Sequence, residues 1–132
     1  MRPETSGFLD KAREFLLKAE DMFADDWPDE AGRAAYLAGL HAAQAVIVER
    51  TGRIIKRHHG VRNELRRLLK DEPRFDLELQ AFLGRAYNLK AIADYETGPG
   101  SRVSHEVARV TIETARRYVE VVAALLAKGV VP

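Results

Sequence analysis

The feature that most constrains this chain is the segment from Ala34 to Ile47, in which nearly every residue is apolar or small. Its strongly polar members are His41 and Gln44, which stand three residues apart and so share one face of a helix. A helix that is apolar all round is buried on all sides. We therefore predict a central helix from Pro28 to about Thr51, in which His41 and Gln44 have structural hydrogen-bond partners.

Apolar residues also recur at three- and four-residue steps in four other segments, which predicts four more helices. The predicted bounds are 6–23, a short helix after the basic loop 53–60 that Pro73 ends, about 76–95, and 104 to about 129. Gly52 and Gly129 are the expected C-terminal stops, and residues 97–100 the expected loop. The predicted fold class is all-α, an up-and-down bundle of about five helices. A chain of 132 residues suits a single domain over 1–132.

Composition excludes several classes of protein. Apolar residues make up 46% and charged residues 31%, a balance that predicts a folded domain and not a disordered chain. There are no cysteines, which rules out disulfides and thiolate chemistry, and the four histidines lack the spacing of a helical metal site. No leader or membrane span is recognisable, so we expect a cytoplasmic protein without a cofactor or metal.

The net charge of +1 conceals strong segregation along the chain. Six acidic residues and no basic one lie between Glu20 and Glu30, whereas eight basic residues and one acidic residue, Glu64, lie between Arg50 and Lys70. A basic segment of this density can neutralise several phosphates. Four of its residues are candidate nucleotide or RNA contacts: Lys56, Arg57, Arg62 and Arg66.

Three stretches carry a family resemblance. Residues 35–45 read AYLAGLHAAQA, residues 56–60 read KRHHG, and residues 86–95 read AYNLKAIADY. In this order they resemble the HEPN (higher eukaryotes and prokaryotes nucleotide-binding) family, in particular its small stand-alone prokaryotic members. Arg57 and His59 stand where that family usually has Thr and Ser, and Lys90 stands where it usually has Arg.

The resemblance implies a helical domain that often forms a homodimer and is often encoded beside a minimal nucleotidyltransferase, in a module like a toxin and its antitoxin. Many HEPN proteins are metal-independent ribonucleases that use an Arg followed several residues later by a His. In a related branch, a tyrosine after that His is modified with AMP by the partner enzyme. Here the corresponding helix end offers Lys90, Asp94 and Tyr95, which are possible modification or site-edge residues; the alternative for Tyr95 is a hydrogen bond into the bundle.

Arg53 with His58 or His59 fits the ribonuclease spacing, although it precedes the third helix and not the later one that the family uses. A His can exchange protons with a ribose hydroxyl while an Arg holds the phosphate, without a metal. These three residues are the catalytic candidates. The alternative is a solvated loop in which one His caps the third helix. Because no aromatic residues are interleaved with the cations, we expect contact with the nucleic-acid backbone only.

The preferred function is a non-catalytic or weakly catalytic HEPN partner subunit of a minimal nucleotidyltransferase, which binds nucleotide or RNA through its basic loop. One alternative is an active metal-independent ribonuclease toxin. Another is a structural helical adaptor without affinity for nucleic acid. A homodimer is expected from the resemblance and from the apolar surface around the second helix, part of which we expect a small bundle to leave uncovered. His105 is expected at the surface.

Overall fold

The computed structural model describes residues 1–95, 97–98 and 102–129. It contains five helices, α1 (Pro3–Ala24), α2 (Pro28–Thr51), α3 (His58–Leu69), α4 (Leu77–Tyr95) and α5 (His105–Gly129), and no strand within the described residues. The predicted all-α bundle is confirmed. In this part of the chain no helix is both long enough and apolar enough to span a membrane.

Helix α2 is the centre of the molecule and packs against all four other helices. Its buried residues run from Ala31 to Val48, and Tyr36, Val46 and Ile47 are among the largest fully buried side chains. Gly39 permits the closest approach, since a Cβ there would lie 2.5 Å from Cε2 of Phe82 on α4. The other helices therefore cover the apolar surface of α2, so this surface gives no reason to expect a dimer. Exposed apolar surface lies instead in an open groove of about 290 Å³ between α4 and α5, where Val107 and Val110 are each 45% exposed.

The helix directions follow from contacts at their ends. The start of α1 lies beside the end of α2, where the Thr5 hydroxyl donates to Glu49 Oε1 over 2.8 Å. The start of α2 lies beside the start of α5, where the Val103 amide donates to Asp29 Oδ1 over 2.7 Å. Helix α1 is therefore antiparallel to α2, and α5 runs in the same direction as α2.

Residues 52–57 connect α2 to α3 as an extended segment that runs back along α2, which the sequence did not predict. We call this segment the return. The Gln44 amide donates to the carbonyl of Ile55 over 2.9 Å, and the next helix begins with His58 beside Tyr36. Six extended residues span roughly 20 Å, and the fifteen residue steps from Tyr36 to Thr51 rise by about 22 Å, so the two lengths match. Helix α3 then runs in the same direction as α2 and reaches Arg50 at its far end, where Arg50 Nη1 donates to the Leu68 carbonyl over 3.4 Å.

Several predicted boundaries are confirmed by their caps. Gly52 adopts φ 74° and its amide bonds to the Val48 carbonyl, as a left-handed C-cap does. Asp76 Oδ1 accepts from the Leu79 amide and Ser104 Oγ from the Val107 amide, each over 3.1 Å, which fixes the starts of α4 and α5.

Two boundaries differ from the prediction. Helix α1 begins at Pro3 and not at Ser6, because proline is well suited to the first turn of a helix. Helix α3 ends at Leu69, before Pro73 is reached. Of the predicted loop over 97–100, Pro99 and Gly100 lie outside the described residues, as do the residues after Gly129, so the predicted stop at Gly129 is seen only as the end of α5.

Candidate nucleic-acid interface

The basic segment predicted from the sequence forms one side of the molecule. Two of its eight cations, Arg53 and Arg67, are hydrogen-bonded to Glu64, and Arg50 donates to a backbone carbonyl. Among the described residues, the other five have no carboxylate partner: Lys56, Arg57, Arg62, Arg66 and Lys70. All of these except Arg62 are exposed. The four predicted contact residues therefore belong to the uncompensated group.

The arginines of α5 provide a contrast. Arg109 binds Glu106 and Glu113, Arg116 binds Glu20 over 3.1 Å, and Arg117 binds Asp76 over 2.8 Å. Each of these cations is compensated locally, so the field on that side is weak. Within the described residues, five uncompensated cations lie close together in the chain on α3 and the return before it, whereas Lys11, Arg13 and Arg85 are the isolated ones on α1 and α4. We call this surface the basic face (Lys56, Arg57, Arg62, Arg66, Lys70).

A group of four rings lies at the end of the basic face that is nearest the start of α3. The rings of His58 and Tyr87 stack with centroids 4.0 Å apart and an interplanar angle of 20°. Tyr36 lies beneath them, 5.7 Å from each, and His59 packs edge-on against His58 at 5.2 Å. We call these four residues the aromatic cluster. Although no aromatic residues are interleaved with the cations in the sequence, the return brings α3 beside tyrosines of α2 and α4.

The protonation of the cluster follows from burial. Burial, and then the neighbouring Tyr87, raise the pKa of Tyr36, so its phenol stays protonated. Burial, and then the charges of His59 and Arg62, lower the pKa of His58, so its ring is neutral near pH 7. The Tyr36 hydroxyl and Nδ1 of His58 are 2.8 Å apart, and the hydroxyl is the donor in the tautomer that carries its ring proton on Nε2. The prediction that a His caps α3 was wrong: the cap residue is Arg57, which makes no side-chain cap bond, and His58 is the first helical residue.

Arg62 links the cluster to α4. A Cβ at Gly84 would lie 3.1 Å from the Arg62 guanidinium carbon, so the guanidinium rests directly on the backbone of α4. Its Nε is buried and has no hydrogen-bond partner within the part of the chain that the structure describes. A side chain at position 84 would require the Arg62 guanidinium to shift by a few tenths of an ångström.

The catalytic candidates Arg53, His58 and His59 are held by different partners. Arg53 bonds to Glu64, whereas His58 bonds to Tyr36 and stacks on Tyr87. His59 is exposed beside His58. The two histidines are thus brought together, while the guanidinium of Arg53 is engaged with a carboxylate.

The predicted site-edge residues form a second polar group on α4. Asp94 accepts from Lys90 over 2.9 Å and from Arg33 of α2 over 2.8 Å, and the bond from Lys90, with the charge of Arg33, holds the pKa of Asp94 below its usual value. Tyr95 is 76% exposed, and its contact is with Lys90, whose Nζ lies 5.5 Å from the ring centroid. The alternative that Tyr95 hydrogen-bonds into the bundle was wrong.

The remaining histidines have structural or surface positions, as predicted. His41 Nδ1 and Gln44 Oε1 are 2.7 Å apart, and Gln44 also holds the return through Ile55. His105 is exposed and pairs with Asp26. Within the described residues, no group of three or more His, Cys, Asp or Glu side chains is placed to hold a metal ion.

Comparison with known proteins gives the family. The model of the HEPN domain matches residues 5–126, nearly the whole chain. A search of curated proteins found no match. With its five-helix bundle and its histidine beside a basic face, the chain belongs to the HEPN domain family.

Proposed function

We propose that this chain is a HEPN-domain subunit that binds RNA through its basic face and acts as the partner of a minimal nucleotidyltransferase in a toxin–antitoxin-like module. The observation that carries the RNA-binding part is that the five cations of the basic face have no carboxylate partner among the described residues, in contrast to the arginines of α5. Uncompensated cations on one surface attract phosphates and release counterions when they bind. The nucleotidyltransferase partner is supported by the family resemblance alone.

Two double variants with the same change in net charge test the RNA-binding part. Arg57→Ala with Arg66→Ala removes two uncompensated cations, and Arg109→Ala with Arg116→Ala removes two that are paired with carboxylates. Fluorescence anisotropy with a labelled single-stranded RNA should show weaker binding for the first pair and near wild-type binding for the second. Equal loss in both would mean that only net charge matters, which would contradict a binding face on α3.

The partner is tested by co-purification. A tagged copy of this chain, co-expressed with the nucleotidyltransferase encoded beside it, should retain that enzyme through size-exclusion chromatography. Independent elution of the two proteins would contradict the partnership and leave RNA binding unaffected.

A second candidate function, a metal-independent ribonuclease, is favoured by one observation. His58 is neutral, is oriented by Tyr36, and has a ring nitrogen, Nε2, free to exchange a proton. The arrangement of Arg53 opposes it, because its guanidinium is paired with Glu64 and a phosphate would have to compete with that carboxylate. We therefore place RNA binding before RNA cleavage.

The proposed assembly is a homodimer, which rests on the family resemblance. Light scattering over a range of concentrations tests it directly. A monomer at all concentrations up to the millimolar range would remove it.

A further inference from the structure

The aromatic cluster combines three properties that a basic face alone does not have. It presents a stacked pair of rings, it contains a histidine that is uncharged near neutral pH, and it adjoins the uncompensated cations. None of these is needed for simple attraction to phosphates, which any group of lysines and arginines provides. Together they match the requirements for holding an unpaired base between its own phosphates.

Tyr87 is the ring best placed to receive a base. One face of it is covered by His58, and its edge is packed against Tyr36, yet 38% of the residue remains exposed. The exposed part therefore belongs to the surface that these two neighbours leave open. Because the neighbours already fix the ring, stacking on it requires little further loss of conformational freedom.

The cations stand where the flanking phosphates would lie. Lys56 and Arg57 immediately precede His58 in the chain, and Arg62 is one helical turn beyond it, close enough that its charge lowers the pKa of His58. His59 adds an exposed ring on the same side. These cations are the nearest candidates along the chain to bind the phosphates that flank a base at the ring pair.

We infer that Tyr87, held by His58 and Tyr36, is a stacking platform for one unpaired base of single-stranded RNA, whose neighbouring phosphates are bound by Lys56, Arg57 and Arg62. This inference rests on the proposed RNA-binding function and goes further, because it makes binding depend on exposed bases. A duplex with the same number of phosphates then binds more weakly than a single strand, since its bases are already stacked on one another.

The test compares two probes and three variants. The probes are a labelled oligouridylate and an abasic ribose-phosphate oligomer of the same length, at the same salt concentration. The variants are Tyr87→Leu, which removes the ring, Tyr87→Phe, which keeps it, and Tyr95→Leu, which removes an exposed tyrosine from the end of the same helix. Thermal unfolding of each variant confirms that it is folded before binding is measured.

The expected result is that Tyr87→Leu binds oligouridylate about tenfold more weakly than the wild type. Tyr87→Phe and Tyr95→Leu should bind it as the wild type does, and the abasic oligomer should bind all four proteins equally. If the two probes bind the wild type equally and Tyr87→Leu changes neither, the stacking platform is overturned and the basic face remains. If the wild type binds neither probe, the RNA-binding proposal itself fails, and the platform with it.

Discussion

Tyr36 on α2 and His58 at the start of α3 are joined by a hydrogen bond of 2.8 Å between the phenol oxygen and Nδ1. The bond connects residues 22 positions apart and fixes where the extended return ends. Burial raises the pKa of Tyr36 and keeps its phenol protonated, so the phenol can donate to Nδ1 and we predict the tautomer with the ring proton on Nε2.

The first prediction concerns that tautomer. The ¹⁵N chemical shifts of His58 at pH 7 should identify a neutral ring with its proton on Nε2. In Tyr36→Phe the fixed tautomer should be lost, and unfolding free energy should fall by about 1 kcal/mol, the usual cost of one hydrogen bond. A wild-type ring protonated on Nδ1 would contradict the assigned donor.

The second prediction concerns His41 and Gln44. Replacing either with Ala should lower the unfolding free energy by about 1 to 3 kcal/mol, because each change leaves a partly buried polar group without its partner. Thermal unfolding measures the effect. If His41→Ala kept the melting temperature and abolished a measured activity, the structural role would be wrong.

The third prediction follows from the pKa of His41, which burial lowers. The unfolded chain then binds a proton at a higher pH than the folded one. The stability that His41 contributes is therefore complete above about pH 6.5 and is lost as the pH falls through the lower folded value. Denaturant titrations at pH 7.5 and pH 5 should show a smaller decrease in stability for His41→Ala than for the wild type. An equal decrease would assign the effect to other groups.

The fourth prediction compares two glycines. Gly39→Ala should destabilise the protein by roughly 1 to 3 kcal/mol, because the new methyl group would overlap Phe82 in the core. Gly7→Ala is the control: no atom lies within 4 Å of its new Cβ, and alanine favours an exposed helix by about 0.5 to 1 kcal/mol. Thermal melts of the two variants should therefore shift in opposite directions. Unchanged stability in Gly39→Ala would mean that α2 and α4 are not in close contact there.

The fifth prediction is that the purified protein cleaves RNA slowly or not at all in excess EDTA. The wild type is incubated beside Arg53→Ala, His58→Ala and His59→Ala. Robust cleavage by the wild type that disappears in Arg53→Ala and in one His variant, with the fold intact, would favour the ribonuclease toxin. The bond between Arg53 and Glu64 is the reason to expect otherwise.

The helices were predictable from the sequence because their apolar spacing and their caps are local signals. Gly52 and Pro28 each mark a boundary by backbone geometry alone, and both boundaries were confirmed. The start of α1 was predicted late because the prediction relied on apolar spacing, which begins at Phe8, and not on the proline at position 3.

The aromatic cluster was not predictable in the same way. Tyr36, His58 and Tyr87 meet only because residues 52–57 run back along α2, and neither spacing nor composition indicates the direction of an extended loop. Likewise, the pairing of Arg53 depends on Glu64 of α3 lying beside the return. The sequence shows where the cations are. Only the fold determines which of them are paired with a carboxylate.

The salt dependence of RNA binding tests the central claim most directly. Anisotropy titrations of the wild type with single-stranded RNA, between about 50 and 200 mM salt, should give an association constant whose logarithm falls linearly with the logarithm of salt concentration. The slope should decrease by about 1 for each cation of the basic face that is replaced and contacts a phosphate. Binding that is unchanged between low and high salt would contradict the basic face as an RNA-binding surface and would leave a helical adaptor without affinity for nucleic acid.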